Sequence, residues 1–178
     1  MPSQEEQLVF GPTLEGLYLR GLSGKLSASL IQQLRALGLD LEKPLLPAYP
    51  RAVVNAAITL TAKTLYPSVS LDEAFYRVGQ HVTLGLRATT LGSATLAIVR
   101  LVGPRRTLSR LARTFRSTNN SMNVTLRELS PSSFELDLEP SNEHATYMLS
   151  IAGADRLKVE VAVHDKARAF CTYRITWA

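Results

Sequence analysis

The sequence predicts an α+β fold: a helical N-terminal two-thirds packed on a C-terminal, four-stranded, mostly antiparallel sheet. Two observations carry this. Up to about residue 118 the apolar residues recur with a spacing near 3.6, the period of a helix buried on one face. After Asn119-Asn120 they alternate with polar residues in four short runs, the period of half-buried strands. Helices followed by strands, rather than a strict alternation of the two, point away from a parallel α/β sheet. With 178 residues, 46% of them apolar, the chain is long enough for one core, and residues 1–178 are read as a single domain.

Each element has its own signature. Leu8-Val9-Phe10-Gly11-Pro12 reads as a short extended piece closed by a Gly-Pro break. Thr13 is placed to cap a helix over 14–22, with Leu14, Leu17, Tyr18 and Leu22 on one face. Ser27 caps a second helix over 28–37, whose apolar side holds Leu30, Ile31, Leu34 and Leu37 and which Gly38 stops. Pro44, Pro47 and Pro50 exclude a helix or a central strand between them, leaving a stiff connector with inward-packing leucines. A third helix runs over 51–65. From Ser70 the longest pattern begins: Leu71, Ala74, Phe75, Val78, Val82 and Leu86, then Leu91, Ala94, Ile98 and Leu101, with a bend or break at Gly92. Gly79, Gly85 and Gly92 each cost about 1 kcal/mol against alanine in a helix interior. Such small positions admit a second helix at close range. Gly103-Pro104 ends this segment and opens the next helix.

The strands follow. Met122, Val124 and Leu126 alternate before Pro131-Ser132-Ser133, and Phe134, Leu136 and Leu138 alternate after it, which makes a β-hairpin. A short helix or turn spans 142–153. Val159, Val161 and Val163, then Cys171, Tyr173, Ile175 and Trp177, make a second hairpin around a turn at 164–168.

Most chemistries are excluded at this level. The single cysteine, Cys171, cannot form an internal disulfide and sits on the apolar face of the last strand, where a core role is expected. No apolar run reaches the roughly 18 residues of a membrane helix, and the start Met-Pro-Ser-Gln-Glu-Glu is unlike a signal peptide. A cytoplasmic protein is expected, so Asn119-Asn120-Ser121 and Asn123-Val124-Thr125 do not meet glycosylation machinery. The phosphate-cradling glycine loops are missing. Of the three histidines, His81 lies on the long helix beside the Val78–Val82 stripe. Gly85 occupies the position where a second ligand of a zinc pair would stand, so His81 reads as a packing residue sooner than as a haem or metal ligand. His144 and His164 fall in turns. No catalytic residue, metal site or cofactor is expected, and the protein reads as a non-enzyme.

One segment concentrates the net charge of +5 and the pI of 9.6. Arg106, Arg110 and Arg113 are spaced i, i+4, i+7, with Arg105 at the helix start, parallel to a buried stripe of Leu108, Leu111, Ala112 and Phe115. Residues so spaced are neighbours on a helix, and forked guanidinium donors suit carboxylates and phosphates. The face reads as a site for an acidic partner or anionic ligand. It reads equally as a solvated face paired to Glu128, Glu135 or Asp137 of the adjacent hairpin. No aromatic residues interleave with the arginines, so stacking on single strands is not supported.

Four segments carry a resemblance: residues 9–17 (Val-Phe-Gly-Pro-Thr-Leu-Glu-Gly-Leu), 37–50, 103–120, and Thr172-Tyr173-Arg174-Ile175-Thr176-Trp177. Together they resemble a large paralogous family of uncharacterised myxobacterial proteins of this length. The resemblance spans nearly the whole chain but implies no activity. Between Glu139 and Val159 the chain is shorter than the family pattern, which truncates the helix joining the hairpins. More loosely, the order of helices, hairpin, helix and hairpin is similar to the haem-nitric-oxide-binding, vinyl-reductase-like and vesicle-tethering folds. That similarity implies apolar ligands or dimerisation through helices and assigns no residue a role. The leading expectation is a cytoplasmic regulatory or adaptor module recognising an acidic partner through the arginine face, dimeric through the long glycine-containing helix. The alternative is a small-molecule sensor with a hydrophobic ligand between that helix and the sheet. Nucleotide or nucleic-acid binding is third.

Overall fold

A computed structural model of the chain describes residues 7–87, 105–106, 108, 119–139, 158–165, 167–168 and 170–177. The fold is α+β, with helices in the N-terminal part and an antiparallel four-stranded sheet at the C-terminal end.

The first strand, β1 (Leu8–Phe10), runs straight into a helix, α1 (Gly11–Leu14). Phe10, not Thr13, occupies the cap position. Pro12 takes a place in the first turn, where its missing N–H is no loss. The chain then widens into a π-helical segment, Glu15–Gly21, which leaves Leu14, Leu17, Tyr18 and Leu22 all buried as the spacing requires. Helix α2 (Ala28–Ala36) is capped by the Ser27 Oγ, which accepts the Leu30 N–H at 3.2 Å. Leu30 and Leu34 are buried, but Leu37 lies beyond the helix end and is exposed.

The proline-rich connector contains a strand the sequence does not announce. β2 (Ala48–Pro50) pairs antiparallel with β1, Val9 facing Tyr49. A two-stranded edge tolerates Pro50, whose missing donor would break a central ladder. Leu39 is buried and Leu41 and Leu45 pack on the core, whereas Leu46 is exposed. Helix α3 (Arg51–Leu65) follows, then α4 (Leu71–Arg87), opened by the Ser70 Oγ accepting the Glu73 N–H. The bend expected at Gly92 and the helix expected at 142–153 lie outside the described residues.

The sheet has the order β3 (Asn123–Ser130), β4 (Ser133–Glu139), β6 (Phe170–Thr176), β5 (Lys158–Asp165), all antiparallel. Leu136 faces Tyr173 and Phe134 faces Ile175, and these form one buried cluster with Leu138, Cys171, Val124 and Leu108. The Phe134 and Trp177 rings stack with centroids 5.5 Å apart. On the opposite face, Glu135 receives both Arg127 (3.0 Å) and Arg174 (2.8 Å), and Asp137 accepts the Thr172 hydroxyl at 2.7 Å. His164 and Asp165 stand on β5, so the second turn begins later than the sequence reading placed it. The valines of β5 do not alternate cleanly. A bulge between Val161 and Val163 puts Val161 opposite Tyr173 and Val163 opposite Thr172, on opposite faces.

The helical half has its own cluster, from Leu14 and Tyr18 to Phe75 and Val78. The two halves meet where β1 reaches the start of β3. Leu8 N–H donates to Asn120 Oδ1 (2.8 Å), Asn120 N–H donates to the Leu8 carbonyl (3.2 Å), and Val9 bridges Asn119. Arg51 extends this clamp, its guanidinium reaching Gln7 Oε1 and Ser121 Oγ.

Candidate functional site

The best-defined polar arrangement inside the helical half lies where α4 crosses the π-helical segment. The crossing is close because two glycines face each other across it. A Cβ on Gly85 would overlap the Gly16 carbonyl oxygen, and one on Gly21 would overlap the carbonyl oxygen of His81. His81 stands on α4 at this crossing, its carbonyl against Gly21.

His81 has 9% exposure and both ring nitrogens engaged. Nδ1 lies 3.0 Å from the Gly21 carbonyl oxygen. A carbonyl only accepts, so Nδ1 carries the hydrogen, and the unprotonated Nε2 accepts the Tyr66 hydroxyl at 2.9 Å. The neutral ring is thereby fixed as one tautomer. Burial pushes its pKa below 6.5, the bond to Gly21 opposes that, and the charge of Lys25 adds to it. The Arg77 guanidinium lies over the Tyr66 ring, 5.6 Å from its centroid, and is held in turn by Glu73 at 2.8 Å. Beneath the crossing, the Thr61 hydroxyl donates to the Ala57 carbonyl (2.8 Å) and accepts the buried Tyr18 hydroxyl (3.1 Å). Burial raises the Tyr18 pKa, so the phenol stays protonated.

These contacts agree with the packing role expected of His81 from its place beside the Val78–Val82 stripe. Its partners were missed, because Tyr66 and Gly21 lie 15 and 60 residues away and no local spacing links them. Cys171 is buried in the sheet cluster, where burial pushes its thiol pKa up. His164 is exposed on β5. Among the described residues no group of three or more His, Cys, Asp or Glu is arranged to hold a metal ion. Also among them, no helix is long and apolar enough to cross a membrane.

Of the arginine face, Arg105 and Arg106 are described, and both are exposed. Arg105 Nη2 donates to Glu128 Oε2 at 2.9 Å, the pairing to the adjacent hairpin that the bland reading of this face anticipates. Arg110, Arg113 and His144 lie outside the described residues.

Helices leading into a four-stranded antiparallel sheet define a known fold class. The chain is similar over nearly its whole length to solved H-NOX domains. An oxygen-binding H-NOX domain related to soluble guanylate cyclases matches with a TM-score of 0.67 and 10% identity, over 93% of each chain. An H-NOX structure concerned with haem distortion matches at 0.65 and 9%, over 94% of each chain. An unliganded iron(II) H-NOX mutant from K. algicida matches at 0.60 and 13%, over 95% of this chain and 96% of that one. The chain itself belongs to the family described as Protein of unknown function (DUF2378), whose model matches residues 7–178. No curated protein matches it.

The haem named for one of those H-NOX structures and the iron of another raise the question of whether this chain's residues fit a haem iron. An axial imidazole must offer a free nitrogen lone pair. At His81 one nitrogen bears the hydrogen given to Gly21 and the other accepts from Tyr66. His164 stands exposed on the outermost strand, and Cys171 is a raised-pKa thiol within the sheet core. Among the described histidines and the single cysteine, none fits an axial haem ligand.

Proposed function

We propose that this protein is a non-enzymatic sensor module that holds a small apolar ligand between α4 and the C-terminal sheet. The likeness to H-NOX domains across both halves of the chain carries this reading. Two further features support it. The helical and sheet halves each carry their own apolar cluster, and apolar surface is the usual lining of ligand pockets. His81, kept neutral by burial and with both ring nitrogens engaged by Gly21 and Tyr66, favours an organic ligand other than haem.

Native mass spectrometry of freshly purified protein tests this. The expected result is a retained non-protein mass without the visible absorption of a haem. Bare protein from several expression hosts, together with no thermal shift across a panel of apolar ligands, overturns the sensor reading. Bound haem overturns its non-haem part.

A second reading, an acidic partner on the face of Arg105, Arg106, Arg110 and Arg113, is favoured by the exposure of the first two. The Glu128 bond already occupies part of Arg105. Alanine at Arg106, Arg110 and Arg113 with unchanged pull-down of partners overturns it.

A further inference from the structure

Strand β5 forms one edge of the four-stranded sheet. Among the described strands, none lies on its outer side. Edge strands offer a row of backbone donors and acceptors to any second strand, and proteins usually blunt them with a central charge or proline. Here the middle of the edge is Val161, Ala162 and Val163, all exposed, the two valines at 49%. The charges sit toward the ends: Lys158 and Glu160 at one, Asp165 at the other.

The bulge determines how a second copy could pair with this edge. Pairing with β6 puts Val159, Val161 and His164 on the core face, opposite Ile175, Tyr173 and Cys171. It puts Lys158, Glu160, Val163 and Asp165 on the other face, opposite Thr176, Arg174, Thr172 and Phe170. Residues facing each other across an antiparallel pair must point to the same side of the sheet. Because Ala162 shifts the phase, a two-fold axis between residues 161 and 162 meets that condition on both flanks. Lys158 then faces Asp165, Val159 faces His164 and Glu160 faces Val163 of the second copy. Shifting the axis one residue toward the C-terminus puts Glu160 opposite Asp165, a like-charge pair, and one residue toward the N-terminus puts Glu160 opposite Val161, on the wrong side of the sheet. Half-position shifts put Glu160 or Lys158 opposite His164, again on the wrong side.

We infer that β5 is a homodimer interface. Two copies pair edge to edge about a two-fold axis at Val161–Ala162, and the eight-stranded sheet so formed is closed at each end by a Lys158–Asp165 ion pair between subunits. The interface follows from the strand's self-complementarity and does not depend on what ligand the proposed sensor module holds.

Sedimentation velocity over a wide concentration range tests it. The wild-type chain should show a reversible dimer. K158D alone and D165K alone should each weaken self-association about tenfold, since each turns two attractive cross-strand pairs into two repulsive ones. An equimolar mixture of the two variants should recover the wild-type affinity to within a few fold, because their heterodimer restores opposite charges at both ends. Asp165 also accepts the Arg168 N–H at 3.1 Å, so Asp165→Asn, which keeps an acceptor there, is the companion variant and should weaken the dimer less than D165K. Circular dichroism confirms that each variant is folded. A wild-type monomer throughout, or a dimer indifferent to both charge reversals, overturns the interface. Weakening without recovery in the mixture overturns the register.

Discussion

The imidazole of His81 donates to a backbone carbonyl on one side and accepts from a phenol on the other, so its neutral form is built into the helical core. The unfolded chain takes up a proton near pH 6.5, whereas burial keeps the folded chain from doing so until the pH is lower. In that interval the unfolded state binds more protons, and stability falls as pH falls. Denaturant midpoints should therefore be flat above pH 7.5 or so and decline toward pH 5, and His81→Gln should flatten the decline. An equal decline in both proteins would place the titration elsewhere. Tyr66→Phe should cost about 1 kcal/mol in urea unfolding, since it leaves the buried Nε2 without its donor. Sequence alone places His81 beside the Val78–Val82 stripe and predicts its burial. It does not show the hydrogen bonds, because nothing in the pattern around residue 81 encodes which turn of which neighbour comes within 3 Å.

Elements were legible to the extent that one face repeats. α3 and α4 start where expected, and the turn at Pro131 and Ser132 closes the first hairpin as its alternation requires. The misses share a cause. β2 is three residues long and holds a proline, the π-helical segment changes period inside a single apolar stripe, and the β5 bulge interrupts a run of valines that reads as regular. Each is a local departure that pairing with a distant segment stabilises. The glycines sharpen the point. Gly85 was read as a close-approach position, and the carbonyl of Gly16 lies where its Cβ would stand; Gly16 itself has open space around the position of its own Cβ. Gly85→Ala should thus lower stability by about 2 kcal/mol through overpacking, while Gly16→Ala should leave it unchanged or raise it by up to about 1 kcal/mol. Thermal unfolding of the two variants, side by side, separates a crossing that cannot part from a helix that tolerates alanine.

At the scale of the molecule, the fold is shared with an H-NOX domain at only 10% identity, so the order of helices and strands carries what residue identities do not. The arginine face, the strongest charge signal in the sequence, proves partly committed to the neighbouring hairpin through Arg105 and Glu128. Asn119 and Asn120 marked a change of period, yet they also tie the halves together. Asn119, buried, accepts the Ser121 and Met122 N–H groups at 3.1 and 2.7 Å, which turns the chain into β3. Asn119→Ala should cost about 1–3 kcal/mol and reduce amide-exchange protection at Leu8 and Val9. Loss confined to β3 would show that the turn matters and the tether does not.

That tether also sets a condition on folding. Leu8 and Asn120 are 112 residues apart, so the outer side of β1 is covered only by a segment far along the chain. Long loop closures are slow. A helical half that formed first would keep an uncovered edge on β1, and the arrival of Asn119 and Asn120 would both complete that edge and lead into the sheet.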